Sequence, residues 1–215
     1  MTPDRRPEPL TFALPKGRVL HDASGFLEAC GVPASVTLGD SRRLVFEAGA
    51  YRFLVVRSQD VPTYVEHGAA DLGIVGRDVI LEQAPEVYEP LDLGFGYCRL
   101  VVAGLPERPG AEGRSFLRVA TKYPRLAEGH FRSLGVQADV IKLYGSIELA
   151  PLVGLADVIV DLVSTGETLR QNGLEERETI LESTCRLIVN RAAMKTRTRQ
   201  VSGLIRAFRE ELEAR

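Results

Sequence analysis

The residue types best suited to chemistry are concentrated in one stretch, Asp161-Leu-Val-Ser-Thr-Gly-Glu-Thr-Leu169. It follows the apolar run 158–160, which predicts a buried strand, and it leads into a short helical pattern that begins at Thr168. The small residues Ser164 to Gly166 lie between them, where backbone N–H groups and a helix N-terminus can hold an anion. Asp161, at the end of the predicted strand, is suited to accept hydrogen bonds from sugar hydroxyls. The stretch therefore predicts a site for a phosphorylated sugar.

Four more loops directly follow predicted strands and carry small, polar or cationic residues. Glycines in them would let the backbone approach a ligand, and lysines and arginines would supply positive charge. Each loop alone also has a plain structural interpretation, namely solvated cations, an Asp78 that caps the next helix, or a Glu148 in a first helical turn. Their recurrence after so many strands favours function. The loops are Leu14-Pro-Lys16-Gly17-Arg18, Gly76-Arg77-Asp78, Thr121-Lys122-Tyr123-Pro124 and Tyr144-Gly-Ser-Ile-Glu148.

Arg57, at the end of a predicted strand, is a further candidate cation, and an ion pair with Asp60 or Glu66 would explain it equally well. The three histidines are isolated, and we assign them no role because their spacing fits neither a zinc site nor a catalytic triad.

The composition is that of a soluble globular protein of one large or two small α/β domains, with 215 residues, 26% charged and 45% hydrophobic. A net charge of −2 gives no basic field for nucleic acid, so phosphate binding must be local. We expect no signal peptide and no membrane span. Three widely spaced cysteines indicate reduced thiols in the cytoplasm instead of a disulfide framework.

The elements that must position these loops alternate between strand and helix patterns. The segment Gly68–Val75 is echoed by Gly154–Val160, since in both a helix ends at Gly, a turn carries Asp and a buried strand leads into a loop. Chance similarity of two junctions is one explanation, and two similar lobes with a ligand cleft between them is the other. Strands are predicted at 12–14, 44–48, 51–56, 72–75, 100–103, 117–120, 140–143 and 158–160. Helices are predicted at 19–30, 61–67, 79–83, 125–134 and 147–153, and an amphipathic one at 201–212.

In their order along the chain, the five loops resemble those of ATP phosphoribosyltransferase, the enzyme of the first step of histidine biosynthesis. The resemblance runs from about Leu10 to Asn190. It implies an α/β fold of two Rossmann-like lobes of the periplasmic-binding-protein type II kind, with a cleft between them. Lobe I would comprise residues 1–97 and 187–215, and lobe II residues 98–186.

The resemblance also implies the chemistry, in which N1 of ATP attacks C1 of phosphoribosyl pyrophosphate and pyrophosphate leaves. The leaving group would be stabilised by the cations Lys16, Arg18 and Arg57. Mg²⁺ would be coordinated by the phosphates of the substrates, without a metal site formed by protein side chains. Phosphoribosyl pyrophosphate would be bound by Asp161, Ser164, Thr165, Gly166, Glu167 and Thr168. ATP would be enclosed by Gly17, Gly76, Arg77, Asp78, Lys122, Tyr123 and Glu148.

Two features qualify the family assignment. Leu162 follows Asp161 where many phosphoribosyltransferases have a second acid, which argues against the fold of the purine-salvage enzymes. The chain stops at Arg215, as in the short form, which depends on a regulatory subunit similar to histidyl-tRNA synthetase. We therefore expect a cytoplasmic homodimer that assembles with that subunit, as a hetero-octamer. The C-terminal helix could serve dimerisation or cover the first lobe, and we favour the second.

Two other functions remain open at this point. A two-lobed module could sense a small anion without chemistry, since lobe architecture does not fix function. A phosphoribosyltransferase could also act on another base. Cations opposite the phosphate loop distinguish an enzyme from a sensor, because a sensor has no leaving group to stabilise.

Overall fold

The computed structural model describes residues 8–39, 42–108 and 115–215. The chain divides into two compact units. Unit 1 comprises the residues up to Ile80, Ala84–Gly96 and Thr184–Arg215, and unit 2 comprises Leu81–Gln83 and Tyr97–Ser183. The expected α/β class with two lobes is confirmed, whereas the functional lobe boundaries after residues 97 and 186 stay a prediction.

The secondary structure alternates between strands and helices along most of the chain. The strands are β1 (Leu10–Pro15), β2 (Val45–Ala48), β3 (Tyr51–Val56), β4 (Leu72–Gly76), β5 (Val87–Asp92), β6 (Cys98–Gly104), β7 (Phe116–Thr121), β8 (Gln137–Lys142), β9 (Val158–Val163), β10 (Glu175–Ser183) and β11 (Cys185–Asn190). The helices are α1 (Arg18–Ala29), α2 (Val61–Glu66), α3 (Arg77–Gln83), α4 (Pro124–Ser133), α5 (Leu149–Leu152), α6 (Glu167–Gln171), α7 (Arg191–Thr196) and α8 (Thr198–Glu213). Short 3₁₀ turns lie at Ala34–Leu38 and Ser58–Asp60.

Unit 1 is built on a mixed sheet in the strand order β2-β3-β1-β4-β11-β5. β1 pairs in parallel with β3 and β4, so the carboxyl ends of these three strands meet at one edge. The remaining pairings are antiparallel. The loops after β1, β3 and β4 carry the predicted cations of unit 1, and the parallel pairing is what brings them together.

Helices cover both faces of this sheet, and β1 shows why its sequence is continuously apolar. Phe12 and Leu14 face one side, where Phe26 of α1 and Phe208 of α8 meet with ring centroids 5.2 Å apart. Ala13 faces the other side, where α2 and α3 pack. The apolar side of α8 is therefore buried in the core of unit 1, as favoured from its sequence. No helix in the described part of the chain is long and apolar enough to cross a membrane.

Unit 2 is built on a sheet in the order β10-β6-β9-β7-β8, with β7 parallel to both β8 and β9. Along β9, Val158 and Val160 face the core that α4 covers, and Ile159 and Val163 face the core that α5 and α6 cover. Because side chains alternate along a strand, Asp161 shares the face of Ile159 and Val163. This face is also where the chain turns into α6.

Several elements depart from the sequence-based expectations. β5, β10, β11 and α7 were not predicted, and β8 begins at Gln137, three residues before its predicted start. β9 continues to Val163 instead of ending at Val160, because its antiparallel pairing with β6 runs on to Val163 opposite Arg99. Asp161 therefore lies inside a strand and not at its end.

The repeated Gly-turn-Asp pattern has the same structural role in both units. The Asp71 carboxylate accepts a hydrogen bond from the Thr11 N–H at 2.8 Å, and the Asp71 N–H donates to the Thr11 carbonyl at 2.8 Å. Asp157 makes the same two bonds with Arg118, at 2.9 and 2.8 Å. Each aspartate thus joins the start of its strand to the parallel strand beside it. The echo in the sequence thus corresponds to two similar βαβ junctions in the structure.

Candidate active site

In unit 2, the residues from Asp161 to Leu169 line a cavity of about 220 Å³ together with Glu148. β9 leads the chain into this cavity, Ser164 to Gly166 make the turn, and α6 leads it away. The structure thus brings together the whole stretch that the sequence predicts to bind phosphoribosyl pyrophosphate. The binding itself stays a prediction.

Gly166 sets the shape of the turn. Its φ of 74° lies in the left-handed region, which only glycine adopts without strain. Among the described residues, none accepts a hydrogen bond from the N–H of Thr165 or Gly166, so both can donate to an anion. Helix α6 has only five residues, so these local N–H groups, more than a helix dipole, supply the positive potential.

Asp161 lies just beyond the point where the parallel pairing of β9 with β7 stops, at Val160 opposite Thr121. One carboxylate oxygen accepts the Leu162 N–H at 2.9 Å. Burial raises the pKa of Asp161, and the negative charge of Glu148 adds to this, while the Leu162 hydrogen bond and the charge of Lys122 oppose it. A carboxylate held in a half-buried position gains from hydroxyl donors, which suits the predicted contact with ribose.

The predicted ligands at the start of α6 differ in where their side chains point. The Glu167 carboxylate accepts hydrogen bonds from Arg170 at 2.7 Å and from Gln171 at 3.0 Å, and the Arg170 contact lowers its pKa most. Thr168 is exposed in the first turn. Of these side chains, Thr168 is free to turn toward a ligand, whereas the Glu167 carboxylate is already engaged within its own helix.

The remaining predicted ligands of unit 2 follow β7 and β8. Thr121 donates to the Val160 carbonyl at 2.6 Å and accepts the Tyr123 N–H at 2.8 Å, so it fixes the start of its loop to β9 and does not cap α4. Lys122 is partly exposed and its charge acts on Asp161. The Tyr123 ring is 3% exposed and packs in the core beneath α4. Its expected contact with ATP would have to come from its backbone.

In unit 1, Lys16 and Arg57 follow the paired ends of β1 and β3. The register joins Pro15 to Val56, and the Lys16 N–H donates to the Val56 carbonyl at 2.8 Å. Both side chains are exposed and bond to none of the residues described, so the ion pair considered for Arg57 does not form. Two uncompensated cations at one sheet edge can attract a polyanion, which suits their predicted contact with pyrophosphate.

Gly17 and Arg18 begin α1 beside Lys16. Gly17 has a φ of 90° and a side chain there would meet nothing within 4 Å, so the glycine serves the backbone conformation and leaves its surroundings open. Arg18 is exposed at the first helical position.

In the third loop of unit 1, after β4, the predicted ligands differ in their exposure to solvent. Gly76 ends the strand and precedes α3, and Arg77 is exposed. Asp78 is only 3% exposed in the first turn of α3. Arg77 is thus accessible to a ligand, whereas a role for Asp78 would be exerted from a buried position.

The sequence analysis did not single out Arg42 and Arg43. Both line a cavity of about 540 Å³ in unit 1, together with Lys16, Arg18 and His21. The usable signal was the adjacent pair of arginines shortly before β2, whose hairpin partner β3 is followed by Arg57. Sequence alone does not show that this end of the hairpin folds back beside the loop after β1.

The sequence was compared with models of protein families and with known proteins. A family model described as HisG: ATP phosphoribosyltransferase matches residues 57–210, more than half of the chain. The chain belongs to the ATP phosphoribosyltransferase family. A relative of that name from Citrifermentans bemidjiense is 53% identical over 211 residues, covering 96% of this chain and 100% of the relative. Another, from Syntrophotalea carbinolica, is 57% identical over 205 residues, covering 91% and 92%.

Solved structures agree with this family assignment. The ATP phosphoribosyl transferase (HisG:HisZ) complex from Thermotoga maritima contains a chain that matches with a TM-score of 0.81 and 34% identity, over 96% of this chain and 100% of that one. The aliphatic sulphonate binding protein SsuA from Escherichia coli matches with a TM-score of 0.60 at 14% identity, over 96% and 69%, which shows the fold alone. The expected periplasmic-binding-protein fold, family and enzyme class, a pentosyltransferase of histidine biosynthesis, are confirmed.

Proposed function

We propose that the phosphoribosyl transfer of this family is carried out by the strand-end loops described above. The observation that carries the proposal is the turn Ser164 to Gly166, in which the N–H groups of Thr165 and Gly166 have no acceptor among the described residues and lie next to the half-buried Asp161. The turn would hold the 5′-phosphate of phosphoribosyl pyrophosphate, and Asp161 would accept hydrogen bonds from its ribose hydroxyls. Fixing both ends of the sugar orients C1 toward the nucleophile.

The exposed cations of unit 1 would act on the leaving group. N1 of ATP forms a bond to C1 of the ribose while the bond from C1 to the pyrophosphate oxygen breaks, and the electron pair leaves with pyrophosphate. Lys16 and Arg57 would stabilise this growing negative charge, with Arg18 beside them. The side chains of Lys16 and Arg57 pair with no carboxylate among the described residues, so their full charge is available.

ATP would be bound by Gly17, Arg77 and Lys122, among others. These lie in loops that follow parallel strands, the edge at which α/β sheets bind ligands. Gly76, Asp78, Tyr123 and Glu148 complete the proposed set. Within this set, the buried Asp78 and Tyr123 would support the loops instead of contacting the nucleotide with their side chains.

Magnesium would be held mainly by the phosphates of the substrates. The donor set fits this role, because Asp161 and Glu148 line one cavity, and the described residues form no group of three or more metal-binding side chains. A hard cation that keeps most of its waters needs only one or two carboxylates from the protein. Bound there, Mg²⁺ would neutralise part of the pyrophosphate charge.

The proposed assembly is a homodimer joined to a regulatory subunit similar to histidyl-tRNA synthetase, as a hetero-octamer in the cytoplasm. It is supported by the fit of the whole Thermotoga maritima chain, which comes from a HisG:HisZ complex. The three cysteines are free, which suits a reducing compartment. We expect histidine to inhibit the assembled complex and to have little effect on this chain purified alone. Strong inhibition of the isolated chain would contradict the proposed regulation.

The activity is tested by mixing the protein with ATP, phosphoribosyl pyrophosphate and Mg²⁺ and following the absorbance of phosphoribosyl-ATP. Product should form only when all three are present, and inorganic pyrophosphate should appear in equal amount. The reaction is repeated with the regulatory subunit added. If neither preparation makes product, the proposed function is wrong.

A further inference from the structure

The phosphate turn is packed against a carboxylate from another strand. A Cβ built on Gly166 would lie 2.9 Å from Oε1 of Glu176 in β10. Gly166 itself is buried, so the carboxylate of Glu176 sits directly behind the turn that is proposed to hold a phosphate. A negative charge in this position repels the substrate unless another group compensates it.

Two of the carboxylates next to the turn, those of Glu167 and Glu176, are paired with an arginine. Glu167 is bound by Arg170 of its own helix at 2.7 Å. Glu176 is bound by Arg99 of β6 through two contacts, at 2.8 and 3.2 Å, and each of these two side chains is 29% exposed. A two-point contact between an arginine and a carboxylate fixes the orientation of both groups.

The ion pair between Arg99 and Glu176 connects strands that lie on either side of the phosphate turn. Arg99 lies opposite Val163, the last residue of β9 before the turn. Glu176 lies near the start of β10, after α6, beside a bulge between Glu176 and Glu178 that changes the direction of the strand. The ion pair therefore links β6, which pairs with the strand leading into the turn, to β10, which follows α6.

We infer that Arg99 is a positioning residue for phosphoribosyl pyrophosphate, acting through Glu176 behind the phosphate turn. It neutralises the Glu176 carboxylate and holds it in the place that only a glycine at position 166 leaves open. The inference rests on the proposed function, because it assigns a task to the support of the same turn.

The test compares Arg99→Met, Glu176→Gln and the double variant. In Arg99→Met an uncompensated carboxylate faces the turn, so KM for phosphoribosyl pyrophosphate should rise about three- to tenfold, as expected for a partly screened charge. KM for ATP and kcat should stay near wild type. In the double variant the Glu176 charge is removed together with that of Arg99, so KM should return close to the wild-type value.

The control is Arg52→Met, which removes the same charge from an exposed pair with Glu47 in unit 1. It should leave KM for both substrates unchanged. A merely structural ion pair predicts a different result, in which the double variant binds phosphoribosyl pyrophosphate as poorly as Arg99→Met. That result, or equal rises of KM for both substrates, overturns the inference.

Wild-type turnover separates this inference from the proposed function. If the wild type makes phosphoribosyl-ATP and the double variant is not rescued, the role of Arg99 is wrong and the function stands. If the wild type makes no product with its regulatory subunit present, the function fails first. The melting temperatures of the variants, measured alongside, identify any rise in KM that comes from partial unfolding.

Discussion

Replacing Gly166 with alanine tests whether the turn needs glycine for substrate binding or only for its backbone conformation. An L-residue in the left-handed region costs about 1–2 kcal/mol. At Gly166 the new methyl group would also meet Glu176 Oε1 at 2.9 Å and Arg170 Nη1 at 3.3 Å. The Glu176 carboxylate can move aside only by straining its contact with Arg99. Overpacking of this kind adds about 1–3 kcal/mol.

Gly173 offers a matched control at the other end of α6. Its φ of 69° is nearly that of Gly166, but a side chain there would meet nothing within 4 Å. Gly173→Ala should therefore show the backbone cost alone, measured as the loss of unfolding free energy in urea. Gly166→Ala should lose more stability. If about 1.4 kcal/mol of the added strain displaces the N–H groups of the turn, KM for phosphoribosyl pyrophosphate rises about tenfold.

The assay is a steady-state measurement of both KM values for the two variants. The expected pattern is a raised KM for phosphoribosyl pyrophosphate in Gly166→Ala, an unchanged KM for ATP, and near-normal constants in Gly173→Ala. Equal stability and equal KM in the two variants would refute the reasoning, since the contacts behind Gly166 would then have no effect on the turn.

Four further results are expected. Arg57→Ala should lower kcat more than it raises KM, because a leaving-group cation acts mainly in the transition state, and a pure KM effect would make it a ground-state ligand. Asp161→Asn should raise the melting temperature at pH 7 while reducing activity; the raised pKa of Asp161 means that its charged form destabilises the fold above that pKa, so an unchanged melting temperature would contradict the burial. Gly73→Ala should cost about 1–3 kcal/mol in urea unfolding because its methyl group would lie 2.8 Å from a valine side chain, whereas the control Gly25→Ala in α1 should not destabilise. Burial raises the pKa of the Cys30 thiol to about 11, so it should react with a disulfide reagent at pH 8 much more slowly than in the unfolded chain, and equal rates would contradict its burial.

The strands that the sequence predicts are those whose hydrophobic pattern matches their burial in the structure. β1 and β4 are covered on both faces, so their apolar runs identify them directly. β10 was missed because this edge strand, Glu175–Ser183, is rich in glutamate and has low strand propensity. β11 follows it after a single residue, without a turn signal between the two strands.

The candidate site, like the fold, was predicted from the sequence only in part. The sequence was enough to single out the turn Ser164–Gly166 and the cations Lys16 and Arg57, which the parallel pairing of β1 with β3 brings to one edge of the sheet. The burial and the position of individual side chains could not be predicted from the sequence. Tyr123 lies in a core, and Asp161 lies inside a strand because of its long-range pairing with Val101.

The most direct test of the proposed site is a crystal structure of the protein with phosphoribosyl pyrophosphate bound. The 5′-phosphate should accept hydrogen bonds from the N–H groups of Thr165 and Gly166, with Asp161 on the ribose hydroxyls. The pyrophosphate should lie on the side of the sugar away from the turn. A 5′-phosphate bound anywhere other than the Ser164–Thr168 turn would contradict the proposed site.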